Sequence, residues 1–262
     1  MRILRAFLAR DVLITRSYRI ALIAEAISGI TNLLVYFFIS RTFGDSAPAG
    51  LGGAPSYFAF AAVGAAMTTV IHAALAATAV SIRQEQLTGT LEAIATQPVS
   101  PSGLAIGMSG LPFVTAAIRV AVYLGLATLL LNLDLSRASL PGAIAVLAAS
   151  SFSLMGIGIA SAALVIIVKR GDVITGFASF AIGLLSGAFF PISVLPNWLQ
   201  PIGEALPTRF AFDGLRAALF GGAWAHDVVV LVVFGVVLIP LSLVGFGASL
   251  QAARRTGTIA EY

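Results

Sequence analysis

The sequence predicts an all-α membrane protein of six transmembrane helices, and three observations lead there. Of its 262 residues 59% are hydrophobic and only 10% charged, against about 25% charged in ordinary soluble domains. The mean hydropathy is +1.01. Apolar stretches recur along the chain at close to the ~20 residues that cross a bilayer, and too little sequence remains between them for a large extramembrane domain. Residues 1–262 therefore read as a single transmembrane domain.

The elements follow in order. In residues 1–19, Ile3, Leu4, Phe7, Leu8, Val12 and Leu13 alternate at helical spacing with Arg2, Arg5, Arg10, Arg16 and Arg19, which predicts an amphipathic helix lying on the membrane surface. A cleaved signal peptide fits less well, because the apolar run from Ile20 to Ser40 exceeds the 7–15 residues of a signal core. Spans are expected at Ile20–Ser40, Tyr57–Val80, Leu104–Leu131, Gly142–Val168, Val173–Phe190 and Val228–Leu250. An even number puts both termini on one side. That side is cytoplasmic by the positive-inside rule, since Arg2, Arg5, Arg10, Arg16, Arg19, Arg83, Lys169, Arg170, Arg254 and Arg255 fall there, and only Arg41, Arg137, Arg209 and Arg216 fall outside. The expected location is the cell (inner or plasma) membrane.

Basic residues at segment ends, rather than in a stripe, argue against nucleic acid as a partner despite a pI near 10.0. Without Cys, and with His72 and His226 far apart, neither a metal site nor a catalytic group is expected.

Between the fifth and sixth spans, residues 191–222 hold Pro191, Pro196, Pro201 and Pro207. None can continue a straight helix, since each lacks an N–H and disfavours helical backbone before it. Irregular backbone survives at membrane depth only when buried in protein or lining a cavity. Two short re-entrant helices joined near Leu206-Pro207 are expected in the outer leaflet. Arg216, at the end of this segment, is expected to make a structural contact.

The links between spans differ in kind. Gly44 to Pro55 and Asn132 to Pro141 are short outer loops, and Lys169 to Asp172 is a tight inner turn, whereas residues 81–102 form a long inner loop. Within it Leu87, Leu91 and Ile94 share one helical face, Glu85 and Glu92 lie seven apart on a similar face, Thr88 or Thr90 offers a cap, and Pro98 and Pro101 stop the helix. An acidic amphipathic helix on this side suits docking into a groove of a soluble partner. Resting on anionic lipid headgroups would favour Lys and Arg instead.

The run Arg83-x-Glu85-x-x-x-Gly89-Thr90-Leu91-Glu92, with Pro98 six residues on, resembles the signature after the second span of type-2 ATP-binding-cassette (ABC) transport permeases. Gln84 and Gln86 depart from it, where relatives often carry more charge. The later run Ser186-Gly187-Ala188-Phe189-Phe190-Pro191-Ile192, with Leu195-Pro196, Leu206-Pro207-Thr208 and Leu215-Arg216, is similar to the outer re-entrant segment of that family. The resemblance implies that Arg83, Glu85, Gly89, Thr90, Leu91 and Glu92 couple the chain to a separate ATP-binding-cassette ATPase subunit, which would hold ATP and Mg. It also implies a homodimer, or a heterodimer with a sister permease, meeting through the first, second and fifth spans, with Gly29, Asn32 and Phe189 beside the pathway. Independently, Lys169 is the sole lysine and is followed by Arg170, so the chain has no phosphate-binding P-loop. No cofactor is expected in this chain.

Arg119 lies inside a span, where a charge costs roughly 2.5–3.5 kcal/mol on insertion scales. Glu25 in the first span is the acid that could reach it. His72 could relay a proton or bond a neighbouring helix. Asn32, Thr68, Thr69, Ser186 and Ser193, with Phe37, Phe38, Phe189 and Phe190, could line a cavity for an amphiphile or pack helices together.

The expected function is thus the permease subunit of an ATP-driven exporter of a drug, lipid or lipid-linked glycan, the short outer loops disfavouring import. A proton-coupled secondary transporter using Glu25, Arg119 and His72 is the alternative. That class builds on repeats with paired broken helices, and one proline-broken segment is visible here. An intramembrane enzyme lacks paired acids or a Ser/His arrangement of suitable spacing.

Overall fold

A computed structural model describes residues 19–43, 50–87, 101–168 and 171–255. The described helices are α1 (Arg19–Phe43), α2 (Tyr57–Leu87), α3 (Pro101–Leu131), α4 (Leu140–Val168), α5 (Gly171–Leu185), α6 (Gln200–Ala205), α7 (Pro207–Phe220) and α8 (Ala225–Arg255), with one 3-10 turn at Ile192–Val194. Among the described residues, the stretches Tyr57–Leu75, Pro112–Leu131, Leu140–Ala163 and Ala225–Ser249 are long and apolar enough to cross a membrane, and Gly176–Leu185 is a shorter apolar helix. The chain is an all-α membrane protein.

α2 is the central post. Of its apolar stretch 72% is buried within the protein, against 22% for α3 and 17% for α8. The cause is side-chain size: Ala59, Ala61, Ala62, Gly64 and Ala66 let neighbouring helices approach closely, and the four alanines are almost wholly enclosed. α4 packs along α8 by the same device, with Gly156 against Leu238 (a Cβ there would stand 2.7 Å from Leu238 Cβ) and Gly235 under the Phe152 ring. The valines and leucines left over on α8, from Val229 to Val244, face outward, as lipid-facing side chains do.

Several expected boundaries shift. The second span does not stop at Val80, because the helix runs on to Leu87. Ser81 to Leu87 contains no Gly or Pro and ends in Arg83, Gln84, Glu85, Gln86 and Leu87, all good helix formers. Arg83 and Glu85 consequently sit on an extension of α2 and not in a separate loop helix. α3 starts at Pro101, three residues before the expected Leu104. Proline suits a first helical position, where its missing N–H would go unused.

The fifth span ends at Leu185 instead of Phe190. Gly187 takes φ +84°, a left-handed conformation that suits glycine, and turns the chain before Pro191 is reached. α8 exceeds the expected Val228–Leu250 at both ends. Residues 1–18, with the expected surface helix, and residues 88–100, with most of the expected docking helix, lie outside the described residues.

The two short helices after the fifth span meet at Leu206, as expected. Leu206 is extended (φ -76°, ψ 134°) and Pro207 opens α7. α7 buries Pro207, Thr208, Ala211, Phe212, Gly214, Leu215, Arg216, Ala218 and Leu219, packing against α2, α4 and α8. It ends at Gly221, whose φ of +80° provides a left-handed cap. The Ser139 N–H donates to Ala218 O at 2.7 Å and ties the α3–α4 loop to this helix.

Candidate functional site

A cavity of about 600 Å3 lies among α1, α2, α3 and α5. α1 contributes Ser28, Gly29, Asn32 and Tyr36; α2, Ala65, Thr68, Thr69 and His72; α3, Ile118, Arg119, Val122, Tyr123 and Leu126; α5, Ser179, Phe180 and Gly183; and Phe189 comes from the turn after α5. These residues recur at spacings of three and four, the signature of one helix face turned to a common space. The alternating direction of the helices orders the lining into layers. Tyr36, Leu126 and Phe189 lie towards the end holding the short helices, Asn32, Thr68, Tyr123 and Gly183 in the middle, and Ser28, His72, Arg119 and Ser179 towards the other end.

The walls are mainly apolar and aromatic with a sparse polar set. Thr68 Oγ1 donates to Gly64 O at 2.8 Å and Thr69 Oγ1 to Ala66 O at 2.7 Å, so both hydroxyls spend their protons on their own helix and turn only acceptor capacity to the cavity. Tyr123 is different. Its hydroxyl is enclosed and has no hydrogen-bond partner among the described residues. Gly29 makes room for that ring, since a Cβ there would sit 3.3 Å from Tyr123 Cδ2. At the far end Tyr36 and Phe189 stack with ring centroids 5.6 Å apart and planes at 21°.

Of the expected pathway residues, Gly29, Asn32, Arg119 and Phe189 come together here, with His72, Thr68 and Thr69. The side chain of Glu25 lies outside the described residues, and with it the expected Glu25–Arg119 pair. So do the side chains of Arg83 and Glu85, and all of Gly89, Thr90, Leu91 and Glu92. Ser193, Phe37, Phe38, Ser186 and Phe190 do not line this cavity. Phe37 instead meets Phe58 edge-on at 5.5 Å, and Ser186 Oγ hydrogen-bonds Thr208 Oγ1 in a buried contact between the post-α5 turn and α7. Sequence reasoning missed Tyr36, Tyr123, Phe180 and Gly183. Continuing the spacing from Gly29 and Asn32 would have reached Tyr36.

Above the cavity a buried cation holds the backbone. Arg216, 1% exposed, donates through Nη2 to Gly187 O at 2.8 Å, Ala188 O at 3.1 Å and Phe60 O at 3.3 Å. Its guanidinium carbon lies 3.5 Å from the centre of the Phe60 ring, a cation–π contact that gains strength from desolvation. Asp213 Oδ1 stands 3.6 Å from Nη1, and Arg209 Nε reaches Asp213 Oδ2 at 3.5 Å. Burial pushes the Arg216 pKa down to about 10, and Asp213 opposes the shift. The group therefore remains a cation at neutral pH. The structural contact expected of Arg216 is present, made across 156 residues of sequence to Phe60.

Packed apolar helices thus surround a central cavity, with the broken segment at one end. A sequence profile of the family described as ABC-2 type transporter matches residues 4–220, and the chain belongs to that family. Over 102 residues it is 30% identical to the linearmycin resistance permease protein LnrN of Bacillus subtilis (strain 168), a stretch covering 39% of this chain and 26% of that relative.

Proposed function

We propose that the chain is the permease subunit of an ATP-driven exporter, moving an amphiphilic drug, lipid or lipid-linked glycan outward through the cavity. The cavity itself carries the reading. Its roughly 600 Å3 falls within the ~300–1,000 Å3 of small-molecule sites, and its apolar walls with a few convergent polar groups match the lining of such sites. The name of the Bacillus relative, a resistance permease, supports the permease reading.

Energy comes from a separate ATP-binding-cassette ATPase, which holds ATP and Mg and docks against the segment that continues α2. Both termini and this segment face the cytoplasm, in the plasma (inner) membrane of the cell. The cavity opens where α1, α3 and α5 border it, since Ser28, Asn32, Ile118, Val122 and Phe180 line it and are themselves exposed. A second copy, or a sister permease, closes that side.

The test is purification in mild detergent with assay of vanadate-sensitive ATP hydrolysis and of transport. An ATPase subunit is expected to accompany the chain. Replacing Gly89 and Glu92 together is expected to uncouple hydrolysis from transport while the helices stay folded; unchanged transport in a well-expressed double variant defeats the docking assignment. Because His72 and Arg119 line the same cavity, proton-driven transport is the second reading, and activity with no ATPase present would favour it.

A further inference from the structure

The contacts of Arg216 bear on the cavity as well as on the short helices. Its Nη2 takes the carbonyls of Gly187 and Ala188, the two residues immediately before Phe189. Phe189 is the cavity residue stacked on Tyr36, and chain direction puts that stack at the end of the cavity nearest the short helices. The same turn is pressed onto α2, where a Cβ on Gly64 would overlap the Ala188 carbonyl and come within 3.1 Å of Arg216 Nη2. The Ser186–Thr208 hydrogen bond fixes its start to α7. On its other side Arg216 lines a polar pocket of about 310 Å3 with Asp213, Glu204, Arg209 and Gln200. Gly187 lines that polar pocket and Phe189, two residues on, lines the apolar cavity, so the turn that Arg216 holds lies between the two.

We propose that Arg216 is a positioning residue of the transport path: it holds the Gly187-Ala188 turn so that Phe189 closes the outer end of the cavity against Tyr36. Three carbonyls and the Phe60 and Phe212 rings converge on this cation, and two of the carbonyls belong to the turn, so losing the guanidinium leaves the turn tied to α7 by the Ser186–Thr208 bond at its start. Charge-assisted hydrogen bonds are roughly twice as strong as neutral ones, so a neutral side chain cannot hold the turn equally well. Outward release then consists of letting this turn move and the Tyr36–Phe189 stack part. The proposal rests on the exporter reading, with the short helices on the outer side.

The chain has no cysteine, so Asn32→Cys, in the middle layer of the cavity, adds the sole thiol. In cells expressing the full transporter, its rate of reaction with a membrane-impermeant maleimide reports access from outside. Ser136→Cys, on the exposed α3–α4 turn, is the control for sidedness and for the integrity of the labelled protein. Asn32→Cys is expected to react slowly and Asn32→Cys/Arg216→Gln roughly tenfold faster, the rate following the open fraction. Arg216→Lys, which keeps the charge, is expected to restore most of the slow rate.

Asn32→Cys/Phe189→Ala, which leaves the buried cation untouched, is expected to react fast as well, and a slow rate there overturns the proposal even if Arg216→Gln does not fold. A purely structural Arg216 would lower the amount of folded protein without changing the labelling rate of what remains. Unchanged rates in Arg216→Gln and Phe189→Ala, with Ser136→Cys reacting normally, overturn the proposal. Failure of Ser136→Cys to react from outside overturns the assumed sidedness instead.

Discussion

Gly64 shows how much can depend on one missing methyl group. It sits on the central helix where the post-α5 turn crosses, and a Cβ there would occupy the place of the Ala188 carbonyl oxygen. The obstacle is backbone, which cannot swing aside as a side-chain end can. Gly64→Ala is therefore expected to destabilise at the upper end of the ~1–3 kcal/mol seen for overpacked cores, read as a lower melting temperature in detergent. Gly125→Ala, with nothing within 4 Å of its Cβ position, is the matched control. At this scale the sequence was legible where chemistry stood out against an apolar background. Asn32, Arg119 and His72 are polar groups in apolar runs, and they do line the cavity. Tyr36 and Tyr123 were not legible, because an aromatic ring in a span reads as packing until the space beside it is known. Arg216 was visible as a charge, but its depth and its partners at Phe60, Gly187 and Ala188 are tertiary facts.

The helices themselves were legible from apolar runs, and their ends less so. Phe189 and Phe190 look like the last turn of a span because they are apolar, yet Gly187 has already turned the chain; hydropathy is blind to backbone conformation. The opposite error occurred at α2, where polarity past Val80 suggested a loop although nothing in Ser81 to Leu87 breaks a helix. Prolines did mark the short helices correctly, because their effect is steric and local. The end of α7 offers a test at this scale. Gly221 is left-handed, and the Gly222 N–H donates to Ala217 O at 2.7 Å, so Gly221→Ala is expected to cost about 1 kcal/mol. Its Cβ would meet only Arg137, at 3.4 Å, so the loss is backbone strain rather than a clash. Faster amide exchange in the last turn of α7 than in α4 would report it.

In the whole molecule, the surfaces of α1 and α8 are both apolar and open, and their surroundings distinguish them. Thr31, Val35 and Phe38 lie along the open side of α1, next to the mouth of the cavity at Ser28 and Asn32. Val229, Val233 and Val237 on α8 line neither that cavity nor its mouth. If two copies enclose the path, cysteines placed singly at Thr31, Val35 and Phe38 are expected to give a disulfide-linked dimer in oxidised membranes at one position or more, since residues near a two-fold axis meet their own copies. Cysteines at the three α8 positions are expected to stay monomeric. Electrophoresis without reductant reads the result, and dimer from α8 alone would move the interface to the opposite side.

The unbroken length of α2 has a mechanical consequence. At 1.5 Å per residue its 31 residues make a rod of roughly 46 Å, longer than the ~30 Å hydrocarbon core, with Arg83 and Glu85 on its overhang and Phe60 and Gly64 at the opposite tip. A rod needs no relay of side chains to carry a displacement. Pivoting it by about 10° about one end sweeps the other through about 8 Å, taking the helical rise above as its length. Work done at the overhang therefore arrives as leverage on the Gly187-Ala188 turn, and a flexible insertion within α2 would leave both ends intact and disconnect them.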